Sequence, residues 1–106
     1  MQKLSPKMLD QIVKRIVDVA HPEKIILFGS YARGDAREDS DLDLIIIERE
    51  VTARRYESIR IRRALRPFRV PVDILVFSRD EVKRFGNIMG TVLYPALREG
   101  KIIYGE

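Results

Sequence analysis

Cysteine is absent from all 106 residues. No disulfide and no thiolate metal site can therefore form. Asparagine occurs once and glutamine twice, against abundant arginine and glutamate, a balance that leans thermophilic. Histidine occurs once, at His21, next to Pro22 at the end of a helical pattern, where its reading is structural. No apolar run approaches the roughly 20 residues that span a bilayer. The N-terminus carries no signal-peptide pattern. Repeats, low-complexity tracts and linkers are also missing. The expectation is a soluble, cytoplasmic protein without a membrane role.

What is present suits a folded chain. Hydrophobic residues make up 45% and charged residues 34%, which excludes a disordered class. The length suits one domain over residues 1–106, with no room for a separate large specificity domain. The net charge is +4. Much of the excess lies in Arg54, Arg55, Arg60, Arg62, Arg63, Arg66 and Arg69. Such a segment attracts phosphates, nucleic acid or an acidic partner, or is simply the solvated face of a helix.

Periodicity orders the elements. Ser5-Pro6 starts a helix. Leu9, Ile12, Val13, Ile16, Val17 and Ala20 then recur at helical spacing up to His21-Pro22. Ile25 to Phe28 reads as a buried strand, broken by Gly29. Ser30 to about Ala36 suits a short helix, and Leu42 to Ile47 a second buried strand. Thr52 is a candidate cap for an arginine-rich helix ending near Pro67. Val72 to Phe77 is a third strand. Ser78 to Glu81 matches a capping box for a helix that stops near Gly86. A last helix covers Thr91 to Glu99, with Gly100 at its end, and Lys101 to Tyr104 suits an edge strand. Its Ile102-Ile103-Tyr104 segment is a candidate interface for a homo-oligomer. The class is α/β (α+β), with an α-β-α-β-α-β-α order and a small sheet covered by helices. A helix-length connection makes strands two and three a parallel pair. The shorter link between strands one and two leaves their direction open.

The chemistry gathers around "FGSYARGDAREDSDLDLIII", residues 28–47. Strand side chains alternate faces. With strand two starting at Asp41, Asp41 and Asp43 point the same way. Asp43, Ile45 and Ile47 form one face of strand two. Asp73, Leu75 and Phe77 form the matching face of strand three. Parallel neighbours would bring Asp41, Asp43 and Asp73 to one end of the sheet, where three carboxylates repel. A cation resolves that conflict, and oxygen-only ligands point to Mg²⁺ or Mn²⁺. Asp-x-Asp also makes ordinary turns and caps, and Asp73 also suits an ordinary strand edge.

Gly29 permits a sharp turn and close approach to a ligand. Ser30 at a helix N-terminus suits an anion site, or is a plain capping serine. Arg33 can reach a phosphate or pair with Asp35 or Asp39. Arg37 suits a surface ion pair.

Gly29-Ser30, ten intervening residues, Asp41-Leu42-Asp43 and a later strand Asp73 resemble the DNA polymerase beta nucleotidyltransferase superfamily. The small size and "GSYARGDAREDSDLDLIII" resemble its minimal nucleotidyltransferase (MNT) group. The resemblance implies a nucleotidyltransferase-like mixed sheet. It implies two Mg²⁺ ions on Asp41 and Asp43, with Asp73 as third carboxylate and helper in deprotonating the acceptor. Gly29 and Ser30 would hold the triphosphate, with ATP as the expected donor. It further implies a HEPN-domain protein partner in a toxin–antitoxin pair, whose tyrosine is a candidate AMP acceptor. Two other classes stand beside this enzyme: a non-catalytic module that masks its partner, and a basic nucleic-acid-binding domain. The last lacks an aromatic stacking platform and a helix-turn-helix signature.

Overall fold

The structure is a computed structural model that describes residues 4–105. Helix α1 (Pro6–Ala20) starts where Ser5 accepts a hydrogen bond from the Met8 N–H at 3.1 Å. It ends at His21, whose left-handed backbone (φ 48°) closes the last turn. His21 is therefore structural, as its position implies. The apolar stripe buries Ile12 and Ile16 completely. Each such side chain contributes roughly 1.5–3 kcal/mol of burial.

Strand β1 (Lys24–Phe28) follows, then α2 (Ser30–Arg33), β2 (Leu42–Glu48), α3 (Arg54–Ala64) and β3 (Val72–Ser78). Helices α4 (Arg79–Phe85) and α5 (Leu93–Glu99) precede β4 (Lys101–Tyr104). The four strands form one sheet in the order β3-β2-β1-β4. β2 and β3 are parallel, as their long connection implies. β1 runs antiparallel to both β2 and β4, so the sheet is mixed. β4 is an edge strand, with Ile102 and Tyr104 exposed.

Alternation along β2 builds two cores. Leu42, Leu44 and Ile46 join Ile74 and Val76 against α1 and α3. Ile45 and Ile47 join Leu75 and Phe77 against Leu93 and Ala96 of α5. The paired faces are those that the alternation in the sequence assigns. β2 is thus the central strand, apolar on both sides, and it fixes its first and last residues firmly.

Three boundaries differ from expectation. The helix after Ser30 stops at Arg33, because Gly34 adopts φ 86° and ends it. α5 starts at Leu93, two residues after Thr91, whereas β2 starts at Leu42 as expected, with Asp41 just outside the strand. Thr52 does not cap α3; Ala53 holds the cap position and makes no side-chain cap bond. Thr52 sits one residue too early. A tertiary clamp at Arg54 holds the helix start instead. Its Nε donates to the Val76 carbonyl at 2.9 Å, and its guanidinium pairs with Glu81. The capping box of α4 is present, with Ser78 and Glu81 each bonding the other's backbone N–H. Glu81 therefore serves cap and clamp together.

The arginine-rich segment divides in two. Arg54 and Arg60 are tied to the protein's own acceptors. Arg55, Arg62, Arg63, Arg66 and Arg69 are exposed.

Candidate functional site

One end of the sheet gathers the residues singled out above. In the antiparallel ladder Asp43 stands opposite Phe28, the last residue of β1. In the parallel ladder it stands opposite Asp73. Asp43 is therefore held between the strand that leads into Gly29 and the strand that carries Asp73. Asp41 lies two residues upstream at an exposed position, and Asp73 is exposed as well. Asp43 is half-buried.

Gly29 turns the chain from β1 into α2 at φ 73° and ψ −153°, a backbone that side chains other than glycine rarely adopt. A Cβ added there would overlap the carboxylate of Asp43. The glycine is required twice, for its backbone angles and for the space it leaves to Asp43. Gly29 is also the N-cap of α2, and no side chain caps that end. Ser30 is the first residue inside the helix, half-buried beside the turn.

Electrostatics single out Asp43. Burial first, then the negative charges of Asp73 and Asp41, raise its pKa above the ordinary aspartate value; Arg33 pulls the other way. A carboxylate whose neighbours disfavour its charge is short of a counter-ion. Arg33 offsets this only in part. It lies on the outer face of α2 with its Nε 3.3 Å from Asp35 Oδ2.

The donor chemistry fits a hard divalent cation, which takes carboxylate oxygens. Among the described residues no three acidic or histidine side chains stand ready-gathered around one ion. Asp41 and Asp73 are exposed, so their side chains are free to swing toward Asp43. The residues fit Mg²⁺ by chemistry and by placement on one edge, and ligation requires those two side chains to move.

Next to the turn lies a groove of about 240 Å³. Gly29, Ala32 and Arg33 form one wall, with Val92, Pro95 and Glu99 of the α5 region facing them. No sequence pattern pointed to this second wall. Residues 92–99 carry no motif, and only tertiary packing of α5 on β1 brings them here. In the other direction, Arg37 lies in the loop before β2, where its N–H donates to Ser40 Oγ at 2.7 Å. It takes no part in the groove.

A family model described as "Nucleotidyltransferase domain" matches residues 7–103. A Methanocaldococcus jannaschii protein named "Putative protein adenylyltransferase" is 41% identical over 54 residues, covering 51% of this chain and 54% of that protein. A second of that name from the same organism is 38% identical over 64 residues, covering 58% and 44%. The chain thus spans about half the length of the curated relatives it matches. Among solved structures, a toxin–antitoxin with AMP-PNP superposes with a TM-score of 0.68 at 21% identity, over 92% of this chain and 73% of that one. A complex of tri-AMPylated Shewanella oneidensis HEPN toxin with MNT antitoxin gives 0.60 at 19% identity, over 92% and 69%. At these identities the likeness establishes the fold.

Proposed function

This chain belongs to the nucleotidyltransferase domain family, and from that membership we propose that it transfers a nucleoside monophosphate, AMP from ATP, onto a hydroxyl of a protein partner. The observation that carries the proposal is the pairing of Asp43 with Asp73 in the β2–β3 ladder, beside the obligatory glycine turn at Gly29. A phosphate-binding turn next to converging carboxylates is the pairing that a triphosphate needs.

In this reading the turn at Gly29 brings backbone close to the phosphates, and the uncapped start of α2 faces them. Ser30 adds a hydroxyl donor. Arg33 adds a positive charge on the groove wall, in exchange for its exposed contact with Asp35, which is worth little. Asp41, Asp43 and Asp73 would hold Mg²⁺, which when bound would supply a lowered pKa for the acceptor hydroxyl and charge neutralisation for the leaving pyrophosphate. Asp73, on an exposed strand position, takes the acceptor's proton. The new bond joins the acceptor oxygen to the α-phosphorus, the bond from that phosphorus to the bridging oxygen breaks, and pyrophosphate leaves with the electron pair. The rigid β2 core behind Asp43 supplies positioning, the main contribution a protein makes to such a transfer.

The partner in this reading is a HEPN-domain toxin, supported by the toxin–antitoxin complexes that share the fold; the relatives' names support a protein as acceptor. The exposed arginines on α3 and just after it are the docking surface we assign to it. Incubation with α-labelled ATP, Mg²⁺ and the cognate partner tests the reaction. Label on the partner, lost in Asp41→Asn/Asp43→Asn, is the expected result. The other reading is a module of the same fold that masks its partner without chemistry. Unlabelled partner, neutralised equally well by the double variant, would decide for masking.

A further inference from the structure

A second acidic site lies at the opposite end of β2. Glu48 closes the strand and is only 8% exposed. Its Oε2 is buried with no hydrogen-bond partner. The carboxyl lines a cleft of about 320 Å³ between the end of β2 and the start of α3, shared with Glu50, Thr52, Tyr56, Glu57 and Arg60. A lone buried carboxylate oxygen costs stability unless something answers it.

Glu57 answers it only through a shared proton. Arg60 is the cation in the cleft, and each of its three nitrogens already donates elsewhere. Nε and one terminal nitrogen donate to the same Glu57 oxygen, at 3.0 and 2.8 Å. The other terminal nitrogen donates to the Val19 carbonyl of α1 at 2.6 Å. Glu57 is thereby neutralised, and Glu48 is left with a shared proton. Burial first, then the hydrogen bond and charge of Glu57, push Glu48 up to about 8, with Arg60 opposing. Glu50, in the loop after β2, adds a further negative charge at the exposed rim. From α1, Ala20 is the residue at the wall. With Glu48 ionised, the inner cluster of Glu48, Glu57 and Arg60 carries one uncompensated negative charge.

We propose that this cleft is a binding site for a small free primary amine, whose ammonium head seats against Glu48 Oε2 and the Glu57 carboxylate. The match is one of charge count and donors. A single positive charge balances the cluster. Three N–H donors on an ammonium meet the carboxyl oxygens that Arg60 leaves free. A divalent cation would overcompensate that single charge. The walls of Thr52, Ala53 and Tyr56 receive the carbon chain. The ammonium takes the place of the shared proton, which leaves to solvent.

The probe is n-butylamine at pH 7, added to the intact chain. Calorimetry in phosphate and in MOPS, neither of which is a primary amine, reads proton release, and carbon NMR of the glutamate carboxyls reads the site. The expected result is saturable binding that shifts Glu48 and Glu57 together and releases close to one proton per amine, about the exchange that linkage requires. At pH 9 the release shrinks, because Glu48 has already lost its proton. Glu48→Gln, nearly the same size, weakens binding about tenfold or more, the loss of one charged hydrogen bond. Asp43→Asn, at the far end of the strand, leaves amine binding unchanged. The proposal is overturned by any of three results: carboxyl resonances that do not move, equal affinity in Glu48→Gln, or binding without proton release. An Nα-acetyl-lysine methylamide arm that binds tenfold tighter than butylamine would also overturn it, in favour of a lysine side chain from a protein.

Discussion

Gly29 and Asp43 occupy one space, and the carboxylate fits only because the glycine has no side chain. Their fit sits at the end of the β1–β2 ladder, where Phe28 stands opposite Asp43. Gly29→Ala therefore meets two penalties, the overlap and a backbone at φ 73°. We expect a stability loss of about 2 kcal/mol or more, read by urea unfolding. Adding Asp43→Ala should recover the steric part and leave the backbone part. A double-mutant cycle with zero coupling would show that the two residues do not compete for space.

Asp43 is charged against the preference of its surroundings. Asp43→Asn removes the repulsion from Asp73 and Asp41 and the desolvation of a charge. The variant should be more stable than the parent, by about 1 kcal/mol, and inactive in nucleotidyl transfer. A lower melting temperature would count against the electrostatic account. Mg²⁺ should raise the melting temperature of the parent and do less for the variant.

The pH dependence of stability follows from Glu48. Its folded pKa is about 8, above the ordinary value of 4.5. Between those values the folded chain holds a proton that the unfolded chain has lost, so stability falls as pH rises from about 5 to 9. Asp43, also raised, adds the same sign at lower pH. The loss should be on the order of 1–2 kcal/mol, since partial solvation and the neighbouring Arg60 moderate it. Glu48→Gln should flatten the profile above pH 6. A profile unchanged by that substitution would remove Glu48 as its source.

Glu81 carries two duties, as capping-box partner of Ser78 and as the acid facing Arg54. Ser78→Ala removes only the cap and should cost about 1 kcal/mol. Glu81→Ala removes cap and clamp and should cost more, with hydrogen exchange quickening in both α3 and α4. Equal costs for the two substitutions would mean that the Arg54 contact contributes nothing.

The sequence carried its local information well. The strand faces were legible because alternation in β2 and β3 is clean, and the Asp43–Asp73 register follows from it. The Ser78–Glu81 box was legible because capping is written within four residues. Direction was not legible for β1 and β2, since a 13-residue link allows either sense. Thr52 misled for a related reason. The start of α3 is set by Arg54 reaching across to β3, a contact 22 residues away. The groove wall at residues 92–99 and the burial of Glu48 are likewise tertiary outcomes. Glu48 follows an apolar run, and nothing near it in the sequence tells that Glu57 of α3 packs beside it.

The order of strands has a kinetic consequence. β1 and β2 are near in sequence and pair antiparallel, so they can zip together early, bringing Gly29 against Asp43. β3 reaches its place only after α3 has crossed over, because a parallel pair requires that long loop to close first. A chain halted between those steps holds the turn and two of the aspartates but not Asp73. The third carboxylate arrives only with β3, so a partly folded chain without β3 would lack the complete acidic set.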